Sequence, residues 1–334
     1  RGTTGVIQVQ VVDGTVLPLV HGKRSVTSYS VANATVAFTA AEPHRPAEVY
    51  VCAALGERQV TALNANWCTT VELPEPEHFI VHSDGGELDA WVMRPVGFEP
   101  GQCYPTLVNM HGGPFAQYGW TFFDEFQVQA GAGYAVLFCN PRGSSGREDA
   151  FARAIIGCPG EPDSADVLAM LDEALRRYDF LDPGRVGLIG GSYGGYLAGW
   201  IVGHTDRFGA AVPERGLYNR YSKDGTSDVW SGSTYLRVHQ WENPELYWRY
   251  SPIAYVQNMR TPLLLLHSEE DLRCPIEQAE QLFTALKQMR REVRFVRFPG
   301  ENHELSRSGK PSHRVQRFGY ILDWFAEKLM SPAR

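Results

Sequence analysis

The apolar run Val186–Ile189 passes without a break into Gly190-Gly191-Ser192-Tyr193-Gly194-Gly195-Tyr196. No other stretch limits the fold of this chain as strongly. A buried strand that ends on G-x-S-x-G and enters a helix has to reverse within a few residues, and so tight a turn strains the serine backbone. Glycines at 190 and 194 relieve the crowding, because side chains there would collide with the returning chain. The helix beginning near Gly194 points its N-terminal amides and positive dipole end toward the serine, where developing negative charge is stabilised.

From about residue 74 onward the hydrophobic pattern fits that turn. Apolar strand candidates fall at Phe79–His82, Ala90–Met93, Thr106–Met110, Ala135–Cys139, Val186–Ile189, Ala210–Val212, Leu263–Leu266 and Val293–Phe298. Helical periodicity is expected at Ser164–Tyr178, Gly195–Gly203, Ile276–Gln288 and Arg314–Lys328. Strands alternating with helices of this length predict an α/β fold, a mostly parallel sheet with helices on both faces, over residues 74–334. Residues 1–73 read differently. Short alternating runs at Val6–Val11, Val16–Val20, Val26–Val31, Thr35–Thr39 and Glu48–Cys52 are separated by turn dipeptides such as Asp13-Gly14, which predicts an all-β segment.

A serine hydroxyl becomes a useful nucleophile only when a base takes its proton. After a G-x-S-x-G turn the acid and then the histidine are expected in that order, each on a loop following a strand. Leu263–Leu266 leads into His267-Ser268-Glu269-Glu270-Asp271, and Val293–Phe298 leads into Pro299-Gly300-Glu301-Asn302-His303. The expected constellation is therefore Ser192 as nucleophile, His303 as general base and Asp271 as the acid that fixes the imidazole tautomer. Glu269 and Glu270 are the alternative acids, and His267 and His313 the alternative bases. His267 is expected to be structural and His313 to face solvent. An oxyanion would be met by the N–H groups of Tyr193 and of Gly113, the latter in His111-Gly112-Gly113-Pro114 after Thr106–Met110. No metal motif, phosphate loop or dinucleotide fingerprint is present, so no metal and no cofactor are expected.

Composition narrows the partners. Lys and Arg are scattered through a chain of net charge −7, which gives no reason to expect nucleic acid or a membrane surface. No run approaches the roughly 20 apolar residues of a membrane span, and the first residues lead into strand alternation rather than an apolar leader. Six widely spaced cysteines, with no CxxC, are expected to be reduced thiols in a cytoplasmic protein.

With these motifs in hand, the sequence resembles the prolyl oligopeptidase family of serine peptidases, nearest its acylaminoacyl-peptidase branch. HGGP at 111–114, NPRGS at 140–144, GGSYGGY at 190–196, GTSD at 225–228, HSEEDLRCP at 267–275 and ENHE at 301–304 carry the resemblance in order and spacing, over nearly the whole chain. Two places depart from the family pattern: Gly146 is followed by Arg147-Glu148-Asp149, and Cys158-Pro159-Gly160 precedes Asp163 and Asp166. The resemblance implies an α/β-hydrolase fold at 74–334, with residues 1–73 as the C-terminal part of a β-propeller whose other blades are missing. The chain would then be the C-terminal portion of a longer protein, with exposed strand edges and an open active-site face. The implied partners are short peptides and the N-terminal propeller portion, with homo-oligomerisation left open.

The activity the resemblance implies is a serine peptidase acting on short peptides, N-acylated ones included, through an acyl-enzyme. Carboxypeptidase-type, dipeptidyl- or oligopeptidase activity of the same family stands beside it. A carboxylesterase and a noncatalytic binding module are the readings from outside the family's peptidases. Specificity is expected from Pro213–Tyr250, where Trp230 and neighbouring aromatics are candidate pocket residues. Arg215 and Arg220 are candidate ligands for a peptide carboxylate, or else structural ion-pair partners of Glu214 or Asp228.

Overall fold

The structure is a computed structural model that describes residues 2–330. Its main sheet has eight strands in the order β14-β13-β12-β11-β9-β10-β8-β7. These are β7 (Glu77–Ser83), β8 (Gly86–Met93), β9 (Tyr104–Met110), β10 (Ala135–Cys139), β11 (Leu181–Gly191), β12 (Ala210–Glu214), β13 (Leu263–Ser268) and β14 (Val293–Phe298). The run from β10 through β9 and β11 to β14 is parallel, whereas β8 lies antiparallel to both β7 and β10. The sheet is thus mixed at one edge and parallel where the G-x-S-x-G turn emerges.

Both faces are covered, which explains why the central strands read as continuous apolar runs instead of alternating ones. The longer helices are α1 (Asp124–Gly131), α2 (Glu161–Arg177), α3 (Tyr193–Val202), α4 (Glu277–Gln288) and α5 (Pro311–Phe325). On one face Leu188, Ala211 and Leu265 pack with Met170 and Leu171 of α2, Leu197 of α3 and Leu282 of α4. On the other, Leu107, Ile189, Val212 and Leu264 pack with Ile321, Trp324 and Phe325 of α5. Neighbours such as Leu264 and Leu265 therefore serve opposite layers, each burial stabilising the sheet by about 1.5–3 kcal/mol.

Residues 1–73 contain β1 (Val6–Val9), β2 (Val16–Val20), β3 (Ser25–Ala32), β4 (Thr35–Glu42), β5 (Arg45–Ala53) and β6 (Gly56–Gln59). The first two form a hairpin, and β3 to β6 form a four-stranded antiparallel meander. A small core of Val6, Val20, Val26, Val36 and Phe38 joins them. This segment docks on the α/β part through the Trp120 N–H to the Gly2 carbonyl, 2.7 Å, and the Gln127 side-chain amide to the Pro43 carbonyl, 3.0 Å. Much of its apolar surface stays uncovered: Val11, Val12, Leu55 and Leu63 are all exposed.

Several short elements escaped the periodicity, β6 and α1 among them. The four residues of β6, Gly-Glu-Arg-Gln, are all exposed and carry no apolar face; only pairing with β5 makes them a strand. Helix α1 follows an aromatic-rich loop and buries Phe126, Gln127, Gln129 and Ala130, so polar residues occupy positions where a hydrophobic stripe would be sought. Gln129 and Asn109 bond amide to amide in both directions, at 2.8 and 3.0 Å, which satisfies both in the interior.

Candidate active site

Strand β11 delivers Ser192 at the start of α3 with φ +62° and ψ −119°, a conformation that L-residues rarely hold. Its N–H donates to the Glu214 carbonyl at 3.1 Å, tying the turn to the end of β12. The glycines are needed for the reason the sequence suggested. A Cβ on Gly190 would lie 2.6 Å from the Gly194 carbonyl carbon, and one on Gly194 would press into the Met110 carbonyl oxygen. Backbone on both sides cannot move aside, so Gly194→Ala should cost about 2–3 kcal/mol of stability. Chemical denaturation would measure this; an unchanged midpoint would mean the turn is looser than described.

Three side chains from three loops meet at this turn. Ser192 Oγ is 3.0 Å from His303 Nε2, and His303 Nδ1 donates to Asp271 Oδ2 at 2.7 Å. The other carboxylate oxygen, Oδ1, accepts the backbone N–H groups of Arg273 at 2.9 Å and Cys274 at 2.8 Å. Burial by itself would raise the Asp271 carboxyl, but hydrogen bonds from His267 and His303 outweigh it and hold it well below the carboxylate range. Burial lowers the His303 pKa against the opposing pull of Asp271, so the imidazole stays neutral and able to accept a proton.

The alternatives separate cleanly. His267 Nε2 lies 2.7 Å from the Cys274 carbonyl, bracing the acid loop. Glu269 pairs with Arg297 on the surface. His313 is not solvent-facing as expected; its Nδ1 contacts Glu301 at 2.6 Å, because the first turn of α5 folds back over the histidine loop. Glu270 is exposed.

Opposite the serine runs the loop after β9. Gly112 approaches closest, since a Cβ there would lie 3.3 Å from Ser192 Cβ, and Gly113 follows with φ +122°. His111 organises the loop, with Nδ1 2.8 Å from the Gly112 carbonyl oxygen and Nε2 2.8 Å from Ser144 Oγ. A trans peptide places its C=O and N–H on opposite sides. The carbonyl held by His111 therefore turns the Gly113 N–H away from the ring. Neither that N–H nor the one of Tyr193 has a backbone partner among the described residues.

A sequence model of the prolyl oligopeptidase family matches residues 120–331. The chain belongs to the prolyl oligopeptidase family. It is 43% identical to the uncharacterized peptidase YuxL of Bacillus subtilis over 336 aligned residues, 98% of this chain and 51% of that protein. It is 31% identical to dipeptidyl-peptidase 5 of Porphyromonas gingivalis over 66% of this chain and 33% of that protein. Among solved structures, the acylaminoacyl peptidase of Pyrococcus horikoshii superimposes with a TM-score of 0.94 at 32% identity, covering 100% of this chain and 53% of that one. This prolyl oligopeptidase family member thus spans about half the length of the YuxL and Pyrococcus relatives.

In this family member a cavity of about 510 Å³ opens in front of Ser192, lined among others by His111, Gly113, Tyr193, Arg215, Arg220 and Tyr235. The aromatic expectation needs correcting. Trp230 is 84% exposed and does not line the cavity; nor do Trp241 and Trp248, which are also exposed. The segment is a series of short helices, among them Arg220–Thr226, Gly232–Leu236 and Pro244–Arg249, which turn these side chains outward. Of the aromatics there, Tyr235 lines the cavity. Arg215 and Arg220 both reach it. Arg215 contacts Glu214 at 3.2 Å, whereas Arg220 pairs with neither expected carboxylate and lies 4.3 Å over the Tyr196 ring.

Sequence reasoning missed Asp163. Its Oδ2 accepts the Tyr193 hydroxyl at 2.8 Å, and burial pushes its carboxyl up to about 6. It thereby anchors the residue after the serine from beneath. The Asp-x-x-Asp spacing was visible, but the partner lies 30 residues away in sequence.

Proposed function

We propose that this chain is the catalytic part of a serine peptidase that hydrolyses short peptides, N-acylated ones included, through an acyl-enzyme on Ser192. The observation that carries the reading is the unbroken chain from Ser192 Oγ through His303 to Asp271, placed at the cavity. The names of the relatives, a dipeptidyl peptidase and an acylaminoacyl peptidase among them, support a peptide rather than a simple ester as substrate.

In this reading Ser192 Oγ attacks the scissile carbonyl carbon while its proton passes to His303 Nε2. The carbonyl oxygen takes the negative charge and accepts the N–H groups of Tyr193 and Gly113. Collapse expels the amine, which receives the proton from His303. Water then repeats the sequence on the acyl-enzyme and releases the acid. Asp271 keeps the imidazole in the tautomer with Nδ1 protonated and stabilises the imidazolium.

The base must be neutral to act. Burial lowers the His303 pKa, so kcat/KM should rise with pH through a midpoint below 6.5, its ordinary value. A pH–rate profile checks this; an acid limb centred above 6.5 would count against His303 as the base.

Residues 1–73 are read as the C-terminal part of a β-propeller and residues 74–334 as the catalytic domain. The four-stranded meander, its exposed apolar residues and the half-length match to relatives support this. The remaining propeller blades would be its partner. Six unpaired cysteines support a reducing, cytoplasmic setting.

The activity is tested by pairing N-acetyl, free-amine and C-terminally amidated forms of one short peptide, with an acyl ester as comparison. Cleavage that requires the acetyl group identifies an acylaminoacyl-peptidase-type activity. Ester turnover without any peptide turnover would replace the peptidase reading with a carboxylesterase.

A further inference from the structure

The cavity in front of Ser192 is basic within an acidic protein. Arg215, Arg220, Lys223, Arg273, Arg307 and Arg317 line it against three carboxylates, Glu125, Glu214 and Glu304, while the chain carries a net charge of −7. Most of these cations are answered locally. Arg273 pairs with Asp228, and Arg307 with Glu304. Arg317 reaches Glu214 and Glu125, both at 2.8 Å. Lys223 donates to the Val229 carbonyl and the Ser231 hydroxyl, and Arg220 donates to the Tyr250 carbonyl with its guanidinium over Tyr196, although its Nη2 has no partner.

Arg215 is poorly answered. It is 9% exposed, and its Nε has no hydrogen-bond partner. Its ion pair is to Glu214 Oε2 at 3.2 Å, the same oxygen that Arg317 holds at 2.8 Å. One carboxylate oxygen therefore serves two guanidinium groups, and Arg215 holds it by the longer contact, through one Nη alone. Burial lowers its pKa against the pull of Glu214. The backbone is also unusual, with φ +34° at Arg215, pinned by its N–H to the Leu266 carbonyl at 2.9 Å. A left-handed residue carrying a long side chain persists only where its surroundings fix it. Here the side chain returns over the turn so closely that a Cβ on Gly191 would lie 2.7 Å from Arg215 Nη2. The guanidinium thus stands beside the residue that precedes the nucleophile.

We propose that Arg215 is a substrate-binding group that takes a carboxylate carried by the peptide close to its scissile bond, either the C-terminal carboxylate or an acidic side chain. A planar guanidinium is suited to that task because it offers two parallel N–H donors to one carboxylate. The proposal rests on the peptidase reading of this site.

Calorimetry on Ser192→Ala protein, which binds without turnover, tests it with four short peptides. One pair ends in a free acid or its amide, and one pair carries Asp or Asn beside the scissile position. Acid forms should bind about 10–100-fold tighter than their neutral partners, as expected for a charge-assisted hydrogen bond. That gain should fall to within about twofold when Arg215→Gln is added. Preference confined to one pair assigns the source of the carboxylate. Equal binding of acid and neutral forms, a preference that survives Arg215→Gln, or no binding by any peptide overturns the proposal. Should the Gln variant not fold, Arg215→Lys, which keeps the charge but loses the fork, must shrink the preference at least threefold, or the proposal fails. Failure of the peptidase reading shows separately, as absent peptide turnover by the protein with Ser192 intact.

Discussion

Ser192→Ala should lower kcat by about 10⁶ and leave the fold intact. The side chain makes one hydrogen bond, to His303 Nε2 at 3.0 Å, so its loss orphans a neutral nitrogen that the open cavity can hydrate. Alanine also faces no new backbone strain beyond what serine already bears at φ +62°. The loss would therefore be chemical. His303→Ala should cost about as much, because nucleophile and base act as one unit whose losses do not add. A residual rate of 10³–10⁴ over water is expected from the oxyanion donors and binding alone. Hydrolysis measured beside a thermal melt decides the matter. A folded Ser192→Ala protein with a tenth of the parent rate would remove Ser192 from the mechanism.

Asp271→Asn should lower kcat by about 10⁴ through the wrong imidazole tautomer. The structure says how. Oδ1 accepts two backbone N–H donors, from Arg273 and Cys274, which require an acceptor in any variant. An asparagine would therefore keep its carbonyl oxygen there and turn its NH₂ toward His303. The imidazole would respond by accepting at Nδ1 and carrying its proton on Nε2, where it could no longer take one from Ser192. Kinetics on the folded variant test this, and a loss of under tenfold would refute the orienting role. The same carboxylate links activity to acid stability. Its folded pKa is depressed, so its contribution is present above the unfolded value of about 4 and is lost as pH falls toward the folded one.

The sequence was a good guide wherever local sterics or periodicity decide the outcome. The strand Ala135–Cys139 lies where its apolar run placed it, since a strand buried on both faces has to be apolar throughout, and the edge strand Val293–Phe298 lies where expected although Arg294 and Arg297 in it face outward. The glycines around Ser192 announced a turn that other residues cannot make, and the strand-end positions of Asp271 and His303 followed from the repeating strand-helix order. All three side chains meet at the turn.

What only the tertiary structure decided are matters of long-range partnership. Trp230 looked like a pocket residue, yet the short helices after β12 turn it to the surface. His313 faces Glu301 because the first turn of α5 packs against the histidine loop. Asp163 holds the Tyr193 hydroxyl across two secondary-structure elements. Arg215 has the longer contact to Glu214 because Arg317, 102 residues further along, holds the same oxygen more closely. Periodicity and turn chemistry are set by neighbours in the chain and can be read from it. Which carboxylate answers which cation, and which aromatic is left in water, depends on how separate elements pack, and no local pattern records that.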